Sequence, residues 1–191
     1  MRSTPARAAR TIEVGVLVGG LGYRNLRDHS IGIAVSDTLM ERGWPQGICV
    51  EDVSYNPVAL VEHLKEEKFE RAVIVAAVQR PGRVPGEVTA YRWDGKLPSD
   101  EMIQAAVVDA VTGVIFLDNT LIVTRHFGGL PETTAVVEIE PEVHEFGESF
   151  SAAVAAAFET VCELVTTLAV DPQALLALPR APLGGVSRER A

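Results

Sequence analysis

The residues whose types suit them best for chemistry are Asp28 and His29, side by side, and Asp52 further on. A carboxylate next to an imidazole in a loop between a strand and a helix is suited to binding a divalent metal or to acid–base work. Taken alone, the pair also reads as a helix-capping acid beside a solvated histidine. Asp52 falls near the carboxyl end of a predicted strand, on the same rim as Asp28 and His29; the alternative there is a carboxylate that bonds loop amides. Gly20-Leu21-Gly22 hints at a dinucleotide-binding turn. The third glycine of that fingerprint is replaced by Asn25, and the next helix starts too late to cradle a pyrophosphate, so a backbone need for glycine is the simpler reading. His63 lies among Glu62, Lys65 and Glu66 and reads as solvated. His126 sits in the last turn of a helix, and His144 in the Glu-rich segment 140–148 reads as a surface residue. No Ser-His-Asp, Cys-His or HExxH arrangement occurs.

The elements that must position these groups follow from hydrophobic periodicity. The apolar run 12–19 predicts a buried first strand, and 20–28 a loop. A helix begins at Ser30 as cap and stops at Gly43 and Pro45. Residues 48–53 predict a second strand, Pro57 opens a helix, and 71–78 is the clearest buried strand. Residues 87–93 alternate as an edge or antiparallel strand. One long helical stretch is predicted over 99–127, a strand over 134–140, and a helix over 149–169 capped by Ser149 or Ser151. Alternating strands and helices predict an α/β fold in three layers, a mostly parallel sheet with helices on both faces. Ligands bind such sheets beyond the carboxyl ends of the strands, which singles out loops 20–30, 53–57 and 79–85. A basic N-terminal tail, 1–10, precedes one α/β domain, 11–170; a short helical turn and a disordered tail, 171–191, follow it.

A formal net charge of −9 argues against nucleic acid and acidic membranes as partners. No apolar run is expected to approach the roughly 18 residues of a spanning helix. Cys49 and Cys162 match no metal or redox spacing and read as buried, reduced thiols, which fits the cytoplasm.

The rim segments form an ordered series. Strand one runs into Gly20-Leu21-Gly22-Tyr23-Arg24-Asn25-Leu26-Arg27-Asp28-His29-Ser30-Ile31-Gly32. Asp52 is followed by Val53-Ser54-Tyr55-Asn56-Pro57. Val75-Ala76-Ala77-Val78 leads to Pro85-Gly86, and Leu130-Pro131 to Ile139-Glu140-Pro141. In this order, over about residues 12 to 168, the series resembles the nickel-iron hydrogenase maturation proteases. Those endopeptidases trim the C-terminal extension of a hydrogenase large subunit after nickel insertion.

The resemblance implies a phosphorylase/hydrolase-like fold and a large-subunit precursor as partner. It implies nickel supplied by the substrate rather than held as a resident cofactor. Carried over by position, His29 and Asp52 are the metal contacts, with an imidazole at His29 in place of the family's carboxylate. Asp52 and Asp28 are the expected catalytic carboxylates, Asp28 also supporting its loop. Water would attack the peptide bond with help from metal or carboxylate. The family's later histidine falls on Gly113, leaving Asp109 and Asp118 as nearby donors. Its loop asparagine is Tyr23, and its strand-three aspartate is Ala76 or Ala77. These departures open an alternative: a catalytically impaired paralogue that acts as a hydrogenase assembly or binding factor.

Overall fold

Val16–Leu21 (β1) and Arg71–Ala77 (β3) are nearly continuous apolar runs, and both occupy the middle of a sheet covered on each face. The computed structural model describes residues 15–185. Its sheet has six strands in the order β2-β1-β3-β5-β4-β6, with β2 at Ile48–Asp52, β4 at Val88–Trp93, β5 at Thr133–Ile139 and β6 at Arg180–Ala181. β2, β1, β3 and β5 are parallel, and β4 runs antiparallel to β5, as its alternating pattern predicts.

Alternate residues of the central strands feed two cores. Val16, Val18, Val73, Val75, Ala135 and Val137 face one layer, built from α1 (Ile31–Glu41) and α5 (Ala152–Val170). Leu17, Leu21, Ala72, Ile74 and Val136 face the other, built from α2 (Pro57–Glu67) and α4 (Leu117–His126). α3 (Asp100–Val111) packs on α4 through Ile103, Ala106 and Ala110 against Ile122 and Val123. The chain leaves β1 for β2 through α1 on one face. It returns across β1 to β3 through α2 on the other. The crevice between the carboxyl ends of β1 and β3 is therefore a topological switch point, where such sheets bind their ligands.

Several boundaries differ from the sequence reading. β1 continues through Gly20 and Leu21, which the reading assigns to a loop, and α1 sits directly on the strand's end. A Cβ on Gly20 would lie 2.2 Å from the Gly32 carbonyl oxygen and 2.4 Å from Ser36 Oγ. The long helix predicted over 99–127 is two helices. Gly113, at φ +84°, takes a left-handed conformation that ends the first. Asn119 then closes the break, accepting from the Phe116 amide at 2.9 Å and donating to the Val114 carbonyl at 2.6 Å.

The expectation that no run is apolar enough to span a membrane is also corrected. α5 has 19 residues and a mean hydropathy of 1.6, enough by length and composition. Here it buries Val154, Val161, Cys162, Val165 and Leu168 against the sheet, which accounts for its apolar face. α6 (Pro172–Ala177) leads into β6 beside β4, a pairing the sequence reading does not include. The basic tail and the first residues of the predicted first strand lie outside the described residues.

Candidate active site

The loops after β1 and β2 meet beside the switch point and are hydrogen-bonded to each other. The Val53 amide donates to the Gly20 carbonyl at 2.9 Å, and the Gly22 amide donates to Ser54 Oγ at 2.9 Å. Asp52 stands between them at the end of β2. Its Oδ1 accepts from the Ser54 amide at 2.9 Å, and its Oδ2 accepts from Arg24 Nη2 at 2.9 Å. Arg24 also grips Asp37 at 2.7 and 3.2 Å. The Asp37 hydrogen bond, with help from Asp52, holds the guanidinium charge more firmly than usual. Both carboxylates remain open to solvent, so the pairing is exchangeable.

Asp28 is different. It is fully buried in a 3-10 turn, Arg27–Ser30, just before α1. Its Oδ2 accepts from the Glu142 and Val143 amides at 2.9 and 3.0 Å, and its Oδ1 from the Ser151 amide at 2.7 Å. Burial alone would push this carboxyl upward. The bonds from Ser151, Glu142 and Val143 outweigh it and hold the group below its ordinary value. Asp28 thus ties the β1 loop to the loop that follows β5. The same two loops are joined by Arg27 N to Gly147 O at 3.0 Å and Gly147 N to Asn25 O at 2.9 Å.

That closure brings His144 onto His29. His29 Nε2 and His144 Nδ1 are 3.0 Å apart, with ring centroids at 4.4 Å and planes at 73°. Burial and the neighbouring His144 push the His29 imidazole below its ordinary value, against the pull of Asp28. The sequence reading treats His144 as a surface residue, and it is exposed, yet it packs on His29. The residues are 115 positions apart, and no spacing signal links them. Among the described residues no cluster of three or more His, Cys, Asp or Glu side chains is arranged to hold a metal, so Asp52 does not complete a triad with this pair.

The remaining donors raised by the sequence are placed elsewhere. Asp118 is held by Arg80 through bonds of 2.7 and 2.6 Å. Arg80 and Arg83 also donate to the fully buried Glu138, which accepts from Tyr91 Oη at 2.9 Å. Burial opposes ionisation of Glu138, but the two guanidiniums overcome it and keep the carboxyl low. This network fixes the loop after β3. Ala76 is buried, and Gly113 marks the break between α3 and α4. Tyr23 reaches that break, its Oη accepting from the Ile115 amide at 2.7 Å. His63 is half-buried and paired with Glu51 at 2.9 Å rather than simply solvated. Cys49 and Cys162 are free thiols, and burial pushes both upward, Cys49 to about 11.

No protein-family model and no curated protein sequence matches the chain. Solved structures do. The hydrogenase maturating endopeptidase HybD from E. coli superposes with a TM-score of 0.61 at 21% identity, over 81% of this chain and 91% of that one. The endopeptidase HycI from Escherichia coli gives 0.62 at 15% identity, over 92% and 99%. The hydrogenase 2 maturation peptidase from Thaumarchaeota archaeon SCGC_AB-539-E09 gives 0.55 at 20%, over 82% and 99%. The chain therefore has the α/β fold of the hydrogenase maturation proteases, as the resemblance implies.

Proposed function

We propose that this chain is an endopeptidase that removes the C-terminal extension of a nickel-iron hydrogenase large-subunit precursor once nickel has been inserted. The observation that supports this most is where His29 and Asp52 fall. Both stand at the carboxyl rim of a maturation-protease fold, His29 after β1 and Asp52 at the end of β2, where the loops that follow the two strands hydrogen-bond each other beside the switch point. In this reading the substrate's own nickel is recognised by the His29 imidazole and the Asp52 carboxylate. Asp52 exchanges Arg24 for that metal, which its solvent exposure permits. Attack of water on the scissile carbonyl forms the new C–O bond. A carboxylate takes the water's proton, and the departing amine is protonated as the C–N bond breaks. Asp28 acts as a positioning residue, because both its oxygens already accept backbone amides. The setting is the cytoplasm, where Cys49 and Cys162 stay reduced. Nucleic acid and membrane are not partners of so acidic a chain.

The test is the intact mass of a nickel-loaded large-subunit precursor from the same organism, before and after incubation with the protein. Loss of a C-terminal peptide is expected, and an unchanged mass overturns the reading. Co-elution with an uncleaved precursor would replace it with the assembly-factor role. Asp52→Ala should abolish cleavage, by at least about a hundredfold for loss of a group acting directly in the chemistry. Retained cleavage would remove Asp52 from the mechanism.

A further inference from the structure

We propose that His29 and His144 together form a two-imidazole site for a divalent late first-row metal ion, for which nickel is the probe used below. The carryover by position pairs His29 with Asp52; His144 has no place in it.

Three observations carry the proposal. The first is the nitrogen spacing. Two nitrogens bound at about 2.1 Å to one metal, at a right angle, stand about 3.0 Å apart; a tetrahedral angle would set them at about 3.4 Å. His29 Nε2 and His144 Nδ1 are 3.0 Å apart. The separation is also that of a hydrogen-bonded pair, so it brings both nitrogens within reach of one ion without selecting among the late first-row metals that imidazole suits.

The second is how the pair is held. Asp28 is the immediate neighbour of His29, and the amides of Glu142 and Val143, just before His144, both bond its carboxylate. One buried group thus fixes the backbone of both histidines, which preorganises the ligands before metal arrives. Without metal, one ring donates its N–H to the other; a bound ion would take the place of that proton between the two nitrogens.

The third is openness. His144 is exposed, and among the described residues no third ligand-type side chain joins the pair. A metal there keeps vacant positions for ligands supplied from outside. Those are water for a free ion, and the substrate's own donors for a metal presented by a protein. Asp52, by contrast, is already paired with a guanidinium. Where the metal is one presented by a precursor, the proposal rests on the function proposed above; binding of a free ion does not.

The experiment is titration of the untagged full chain with nickel sulfate, followed by calorimetry and by imidazole NMR. One ion per chain is expected, with paramagnetic broadening of the His29 and His144 rings. The His63 and His126 signals should remain sharp. His144→Ala and His29→Ala should each weaken binding at least about tenfold, since even outer-shell losses cost that much. His63→Ala should leave it unchanged. Unaltered affinity in His144→Ala, or broadening confined to His63 or His126, overturns the proposal. The precursor mass assay, run with His144→Ala, separates the metal sources. Lost cleavage together with lost nickel binding supports a site that reads a presented metal. Full cleavage with lost binding supports a free-ion site separate from proteolysis. Binding by a wild-type protein that cleaves nothing upholds this site and removes the protease reading.

Discussion

Asp28→Asn changes almost no volume and removes one charge, so it isolates what the buried carboxylate does. The wild-type group accepts three backbone amides, two on Oδ2 and one on Oδ1. An asparagine has one accepting end and one donating end. Its best placement keeps the carbonyl oxygen toward Glu142 and Val143 and turns the amide nitrogen toward the Ser151 N–H, now 2.7 Å away and also a donor. One bond to a charged acceptor, about 1.5–3 kcal/mol, is lost, and the other two fall to the neutral value of about 1 kcal/mol each. Together these losses amount to a destabilisation of about 2.5–7 kcal/mol at pH 7, a large share of the 5–15 kcal/mol of an ordinary domain. Urea unfolding followed by circular dichroism measures it. The pH dependence provides a second check. The folded carboxyl lies below its ordinary value, so its contribution is complete above that value and is lost as pH falls through the lower, folded one. Asparagine does not titrate, so the gap between the two proteins should narrow between pH 7 and about pH 3. A loss under about 1 kcal/mol at pH 7, or a gap that does not change with pH, would refute the assignment.

Two further substitutions separate a buried network from an exposed one. Glu138→Ala strands Arg80 and Arg83 beside a cavity and should cost about 3–5 kcal/mol in the same unfolding assay; a loss under 1 kcal/mol would show the network to be dispensable. Arg24→Ala breaks a bridge whose members are all partly exposed, so stability should change by less than about 1 kcal/mol. The same variant frees Asp52, and half-maximal cleavage should need less precursor; a requirement for more would count against exchange of Arg24 for the metal.

The strands were legible because β1 and β3 are buried on both faces and so lack polar interruptions. Caps and prolines located α2 and α5, where Asn56 accepts from the Val58 amide and Ser151 from that of Val154. What escaped depends on contacts distant in sequence. Gly20 reads as a turn residue by type, yet it lies in a strand because α1 leaves no room for a side chain. The helical pattern ran unbroken through Gly113, since one glycine inside a periodic stretch marks a stop only when its backbone turns left-handed. α5 shows the converse: an apolar composition that would suit a membrane serves here to cover β1, β3 and β5.

The site was legible to the extent that its groups sit next to the strands that carry them. His29 follows β1 and Asp52 is the last residue of β2, both at the rim where those strands end, and the alternation of strands and helices predicts that much. The partner of His29 could not be read in the same way. His144 arrives through a loop with no regular structure, and what brings it is a carboxylate whose bonds run to main-chain amides. Backbone amides carry no sequence signature, so an aspartate that holds a distant loop looks the same in sequence as one that works on substrate. Burial distinguishes them. The hidden Asp28 has both oxygens engaged and can only position, whereas the half-open Asp52 holds a partner it can exchange. In the site proposed here the two roles depend on each other, because metal recognition by His29 and His144 would need a fixed loop, and Asp28 bonds the loop that carries His144. Asp28→Asn should therefore weaken nickel binding as well as stability, although its side chain touches no metal.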